Sequence, residues 1–192
     1  MENSKPHPNQ IMGATLCPDN TLVFAYPVYR ENKPNPDWLV DECDADYDDM
    51  ALALTEAHSH GVWLAIIDPP PTNPAKAEIP KHTRKMFYEI LSFVGIHGLK
   101  TPPEDWLKSV IAVNGELPKS RSKRREEMTA AAIKILKAQT QNPFFGFTNP
   151  FKNPAKAAAV CMSVFGQFIA KNQFDDLQNR PKNGKLVPLV TT

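Results

Sequence analysis

Residues 48–68 read DDMALALTEAHSHGVWLAIID. The stretch changes its apolar period half-way along. Met50, Leu54 and Ala57 fall on one face of a helix, whereas VWLAIID (62–68) is a short, almost unbroken apolar run. The first pattern predicts an amphipathic helix that ends at Gly61. The second predicts a strand covered on both faces. A helix that hands over directly to a buried strand implies a sheet with helices laid on it.

The flanks extend this unit. Upstream, TLVFAYPVY (21–29) is rich in β-formers, and Pro27 marks an edge position or an exit from the strand. KPNPDW (33–38) reads as a turn cluster leading into DECDADYDD (41–49). Downstream, PPPTNPAKAEIP (69–80) is a stiff loop. Met86, Phe87, Ile90, Leu91 and Val94 then give the strongest helical periodicity in the chain, with a stop expected near Gly95 or Gly98. Thr101, Pro102 and Glu104 match a capping box ahead of a helix carrying Trp106, Leu107, Val110 and Ile111. A basic-headed helix is predicted over 121–139, with Met128, Ala132, Ile135 and Leu136 inward. Asn153 and Pro154 open a last long helix containing Val160, Val164, Phe165, Phe168 and Ile169. Two strands flank a helix and mostly helices follow: an α+β pattern, a small sheet with helices and then a helical C-terminal half.

Composition narrows the function classes. Hydrophobic residues make up 42% and charged residues 22% of 192, the balance of an ordinary globular chain. No apolar run reaches the roughly 20 residues of a membrane helix, so no membrane insertion is expected. MENSKPHPNQ (1–10) has no secretory character and reads as part of a flexible arm over 1–20. Cys17, Cys43 and Cys161 are odd in number and widely spaced, which favours neither a disulfide framework nor a zinc knuckle. A reducing cytoplasm is the expected compartment. The P-loop, G-x-G-x-x-G, H-E-x-x-H and G-x-S-x-G signatures are absent.

Net charge is only +1, yet the charges are segregated. Acidic residues crowd 41–49, and Lys119, Arg121, Lys123, Arg124 and Arg125 crowd KSRSKRR (119–125). The basic block could hold a DNA backbone without sequence preference, or simply form a solvated face. The aromatic stretch NPFFGFTNPF (142–151) could stack bases, with helix packing as the alternative.

The segment PVYRENKPNPDWLVDECDADYDDMALALTEAHSHGVWLAIID (27–68) resembles the opening of the ParB/sulfiredoxin superfamily. Members run from a strand through a P-N-P turn into an acidic-led helix, a glycine and a strand. A phosphate-binding box then opens the next helix, and here KHTRKMFYEILSF (81–93) stands in that place, with Arg84 at the arginine position. Lys81 replaces the box glycine, and no cysteine precedes the arginine, so sulfiredoxin chemistry is not implied. Over roughly 21–98 the resemblance implies a ParB/sulfiredoxin-like core, taken as 21–118, with 119–192 packed on it in a single domain. Length and compartment suit an Osa-type plasmid fertility inhibition factor. Such a factor would hydrolyse ATP and cleave DNA at the coupling step of a type IV secretion system.

Physical chemistry supports a phosphate site at the same place. A helix N-terminus offers unsatisfied amides and a positive dipole end. Lys81, Arg84 and Lys85, with His82 and Thr83 among them, add cations that disfavour the helix start by roughly 0.3–1 kcal/mol per charge unless an anion offsets them. Arg84 would fork onto two phosphate oxygens, His82 could carry a proton, and Thr83 is a cap or a phosphate contact. Glu78 is a catalytic candidate, or an ion-pair partner for Arg84. Mg²⁺ would accompany ATP, and Glu42, Asp44 and Asp46 are its candidate ligands, with an acidic surface loop as the alternative. A non-catalytic module that binds DNA or a secretion-channel protein is the competing function. Oligomeric state is not readable from these residues.

Overall fold

The computed structural model describes residues 9–30, 35–68, 79–112, 116–139 and 153–178, with side chains of the last helix as far as Lys171. Among these residues five strands and five helices follow in the order β1 (Ile11–Leu16), β2 (Thr21–Val28), β3 (Asp37–Asp44), α1 (Tyr47–Ser59), β4 (Leu64–Ile67), α2 (Lys81–Val94), β5 (His97–Lys100), α3 (Pro103–Ile111), α4 (Arg121–Gln139) and α5 (Pro154–Gln178). The strands form one sheet in the order β3-β2-β1-β4-β5. β1, β2 and β3 form an antiparallel meander, whereas β4 and β5 run parallel to β1 and to each other. The α+β class with a small sheet therefore holds, and β2, β4 and all five helices fall where the periodicities put them.

Three strands go beyond the expected pair. The largest revision concerns residues 11–16. Within the stretch read as an arm, IMGATL forms β1, the middle strand of the sheet, and Ile11, Met12 and Ala14 are fully buried. DWLVDECD, expected to be turn and acidic lead-in, forms edge strand β3 in an eight-residue register with β2. Pro27 lies inside β2, opposite Trp38 and beyond Ala25, the last residue registered with β1. Its missing N–H therefore falls where that neighbour's pairing has ended.

Alternation along each strand divides the core into two layers. Met12, Ala14, Leu22, Phe24, Tyr26, Ala65 and Ile67 face α1 and α2. Ile11, Val23, Ala25, Trp38, Leu64, Ile66 and Leu99 face α3, α4 and α5. All four residues of β4 are buried, as an unbroken apolar run requires.

Helix ends follow local rules where the sequence supplies the cap. Asp46 opens α1 by accepting a hydrogen bond from the Asp49 backbone N–H at 2.9 Å. That helix closes in a Schellman pattern: Gly61 sits at φ +85° while Val62 N–H reaches back to Ala57 O. Gly95, at φ +92°, ends α2 in the same left-handed conformation. Thr101 does not cap α3. Its backbone N–H donates to Ile67 O, so it extends the β5 side of the sheet and leaves Pro102 as the cap position.

α5 lies directly across β1. A Cβ on Gly13 would run into the carbonyl oxygen of Ala159 and come within 2.7 Å of the Ser163 backbone nitrogen. Gly166 meets the sheet as closely, since its Cβ would stand 2.6 Å from Ile11 Cγ2. Ser163 Oγ donates to Ile11 O at 2.6 Å and ties the two elements together. This contact holds the floor on which the site is built.

Candidate functional site

The parallel strands β1, β4 and β5 all end at one edge of the sheet. Between β1 and β4 the connections diverge: β1 turns back into a hairpin, while β4 crosses over through α2 to β5. Open α/β sheets hold ligands outside the carboxyl ends of strands at such a switch point. The register puts particular residues there. Ala14 pairs with Ile67, so the next step sets Thr15 beside Asp68. Thr15 Oγ1 donates to Asp68 Oδ2 at 3.3 Å. From α3, Trp106 Nε1 donates to Asp68 Oδ1 at 3.2 Å. Both carboxylate oxygens are thus held, one by the sheet and one by a helix.

Burial raises the pKa of Asp68 above its ordinary value, while the hydrogen bonds from Trp106 and Thr15 pull the other way. Its field reaches two neighbours. The Cys17 thiol is pushed up chiefly by burial, with Asp19, Glu42 and Asp68 adding to the shift and a hydrogen bond to Thr21 opposing it. The Tyr88 phenol is pushed up mainly by burial, lowered by Arg84 and raised by Asp68. Lys100 Nζ stands 4.4 Å from the centre of the Tyr88 ring. Lys100 of β5 thus lies over the Tyr88 ring, and the charge of Arg84, one turn before Tyr88 on α2, acts on the same phenol, as does that of Asp68.

The Thr83 cap expected at the start of α2 is not formed. No side chain caps this helix, and its first turn carries no acid. Lys81, His82 and Lys85 are exposed, Arg84 is half-buried, and Thr83 is buried at 2% exposure, packed into the structure and not presented to solvent. Lys85 pairs with Glu89 one turn on, at 3.3 Å. Glu78 and the aromatic stretch 142–151 lie outside the described residues.

The acidic candidates separate. Asp44 and Asp46 come together with Asp49, their ligand atoms within 4.8 Å of one another on an exposed surface, and this group could hold a cation. Glu42 does not join them. It points to the α5 face, where Lys156 Nζ lies 3.2 Å away and Asn153 Nδ2 3.5 Å away. The basic block also divides. Lys119, Arg121, Lys123 and Arg125 are exposed, but Arg124 is half-buried and its Nε donates to Pro118 O, so it fastens the entry of α4. Lys123 has Glu127 at 3.9 Å.

Asp68, Thr15, Trp106, Tyr88 and Lys100 were not among the sequence candidates. One signal could have found Asp68: it is the carboxylate that ends the continuous apolar run 62–67. The rest needed the pairing of β1 with β4.

No protein-family model matches the sequence. No curated protein matches it. The chain is similar in structure to RuvC of Thermus thermophilus, with a TM-score of 0.54 at 10% identity, over 84% of this chain and 96% of that one. At that identity the likeness is one of fold. It is a different fold from that of the ParB/sulfiredoxin superfamily, so the comparisons lend the sequence resemblance no support.

Proposed function

We propose that the protein binds the phosphate backbone of DNA at the carboxyl edge of its sheet, in the cytoplasm, without hydrolysing it. The observation that carries this reading is the stacking of Lys100 over the Tyr88 ring, with Arg84 one helical turn before Tyr88 on α2, on a fold resembling that of RuvC. An arginine fork and a lysine point charge are the side chains that hold phosphate oxygens. Lys119, Arg121, Lys123 and Arg125 add exposed cations that suit sequence-independent backbone contact. The carboxyl group of Asp68 is already engaged by Thr15 and Trp106, and burial favours its neutral form. The two hydrogen bonds commit both carboxylate oxygens, which supports a positioning and binding role.

A second reading, ATP-dependent and Mg²⁺-dependent DNA cleavage as an Osa-type factor, is favoured by one observation. Asp44, Asp46 and Asp49 gather at the end of β3, and β3 runs parallel to β1, so the group stands at the same edge of the sheet. Both readings are tested by incubating the protein with labelled linear DNA, Mg²⁺ and ATP, then following retardation, DNA length and released phosphate. Retarded, intact DNA and no released phosphate are expected. Shortened DNA or phosphate release would support the enzyme, and unretarded DNA at low salt would overturn the binding reading.

A further inference from the structure

We propose that Thr15 and Asp68 form a proton switch that decides whether the switch point offers a hydrogen-bond donor or a negative charge to a phosphate oxygen. The inference deepens the DNA-binding reading and rests on it for its ligand.

The geometry defines two states. With Asp68 ionised, Thr15 Oγ1–H and Trp106 Nε1–H both point at the carboxylate, at 3.3 and 3.2 Å. The hydroxyl proton is then committed inward, and the site presents a charge that repels phosphate. When Asp68 takes up a proton on Oδ2, that O–H donates to Thr15 Oγ1, because a hydroxyl can accept as well as donate. The Thr15 O–H is released to turn outward, while Trp106 keeps its bond to Oδ1. One proton bound thus removes a negative charge and frees a donor at the same point.

The surroundings favour the neutral form. Burial is the main influence on Asp68 and raises its pKa. The groups facing it from the packed elements are Cys17 from the β1–β2 turn and Tyr88 from α2. Lys100 of β5 lies over the Tyr88 ring, the charge of Arg84 on α2 acts on the same phenol, and Glu42 of β3, paired with Lys156 of α5, acts through its charge on Cys17. α3 contributes the neutral Trp106 indole. A bound phosphate would add negative charge, which draws the proton on more strongly. DNA binding and proton uptake are therefore linked.

Asp68→Asn reproduces the protonated state: its amide donates to Thr15 and its carbonyl accepts from Trp106. The test measures affinity for a fluorescein-labelled DNA duplex from about pH 4.5 to about pH 8, in parallel with tryptophan emission of the free protein. Wild-type affinity should fall by about tenfold more than that of Asp68→Asn as pH rises, the scale of one hydrogen bond to a charged oxygen. Thr15→Val should bind weakly at every pH. The wild-type emission should contain a pH-dependent component that Asp68→Asn lacks. Equal pH slopes for the two proteins, or identical emission titrations, would overturn the switch. No binding by either protein at any pH would count against the DNA reading alone, and the emission titration would then decide the switch.

Discussion

Gly13→Ala is the sharpest structural test, because it adds one methyl group where β1 meets the backbone of α5. That Cβ would collide with the carbonyl oxygen of Ala159 and stand 2.7 Å from the backbone nitrogen of Ser163. Neither atom can rotate aside, so α5 must move away from the strand. The movement would stretch the 2.6 Å bond from Ser163 Oγ to Ile11 O and loosen the contact of Gly166 with Ile11 and Ile66. Overpacking a tight core costs about 1–3 kcal/mol, and a clash with rigid backbone belongs at or above the top of that range. A loss of about 3 kcal/mol corresponds to a fall in Tm of roughly 6–12 °C for a chain of this size. Gly98→Ala is the matched control. Its Cβ would meet only Ile67 Cδ1 at 3.0 Å and Leu91 Cδ1 at 3.5 Å, the far ends of flexible side chains. It should change stability by less than about 1 kcal/mol. Urea unfolding followed by circular dichroism reads both variants. A Gly13→Ala protein as stable as the parent, or a Gly98→Ala protein equally damaged, would refute the packing argument.

Ser163→Ala should cost about 1 kcal/mol in the same assay, since it removes one buried hydrogen bond to Ile11 O without a steric penalty. Asp68→Asn should alter the pH dependence of stability. The pKa of Asp68 in the folded protein lies above its ordinary value of 3.8, so its favourable contribution is complete below that value and is lost as pH rises through the shifted one. The Tm of the wild type should therefore fall relative to that of Asp68→Asn over that window, and parallel Tm profiles would contradict the shift. Arg124→Ala should lower Tm, because its side chain fastens Pro118 O, yet leave the salt dependence of DNA affinity unchanged. Arg121→Ala should do the reverse, as its exposed side chain would contact phosphate and not the core.

The helices were legible because each carries a wide apolar stripe with a clear boundary. α4 spans the predicted 121–139, and Gly61 and Gly95 stop their helices in left-handed conformations. β1 was not legible, and the reason is the same contact that fixes the fold. Gly13 and Ala14 are small where α5 and the α1–α2 layer press on the strand, so IMGATL lacks the large branched residues that mark a central strand. β3 was hidden by Asp41, Glu42 and Asp44, tolerable on an edge strand whose last residues are exposed. β5 has only four residues, one of them Gly98. At the site, the lysines and Arg84 were readable as cations at a helix start. Glu42 was not separable from Asp44 and Asp46 by spacing, because alternation along β3 and the approach of Lys156 decide its direction. Thr15 and Asp68 lie 53 positions apart in the chain, and only the parallel register brings them together.

The most direct test of DNA binding at this edge is the salt dependence of affinity for a labelled duplex, measured for the wild type and for the double variant Arg84→Gln, Lys100→Gln. Each phosphate contact contributes about 0.9 to the slope of log affinity against log salt concentration. If both side chains hold the backbone, the double variant should bind more weakly and its slope should be shallower by about 1.8. An unchanged slope with unchanged affinity would contradict the placement of DNA beside Tyr88 and Asp68.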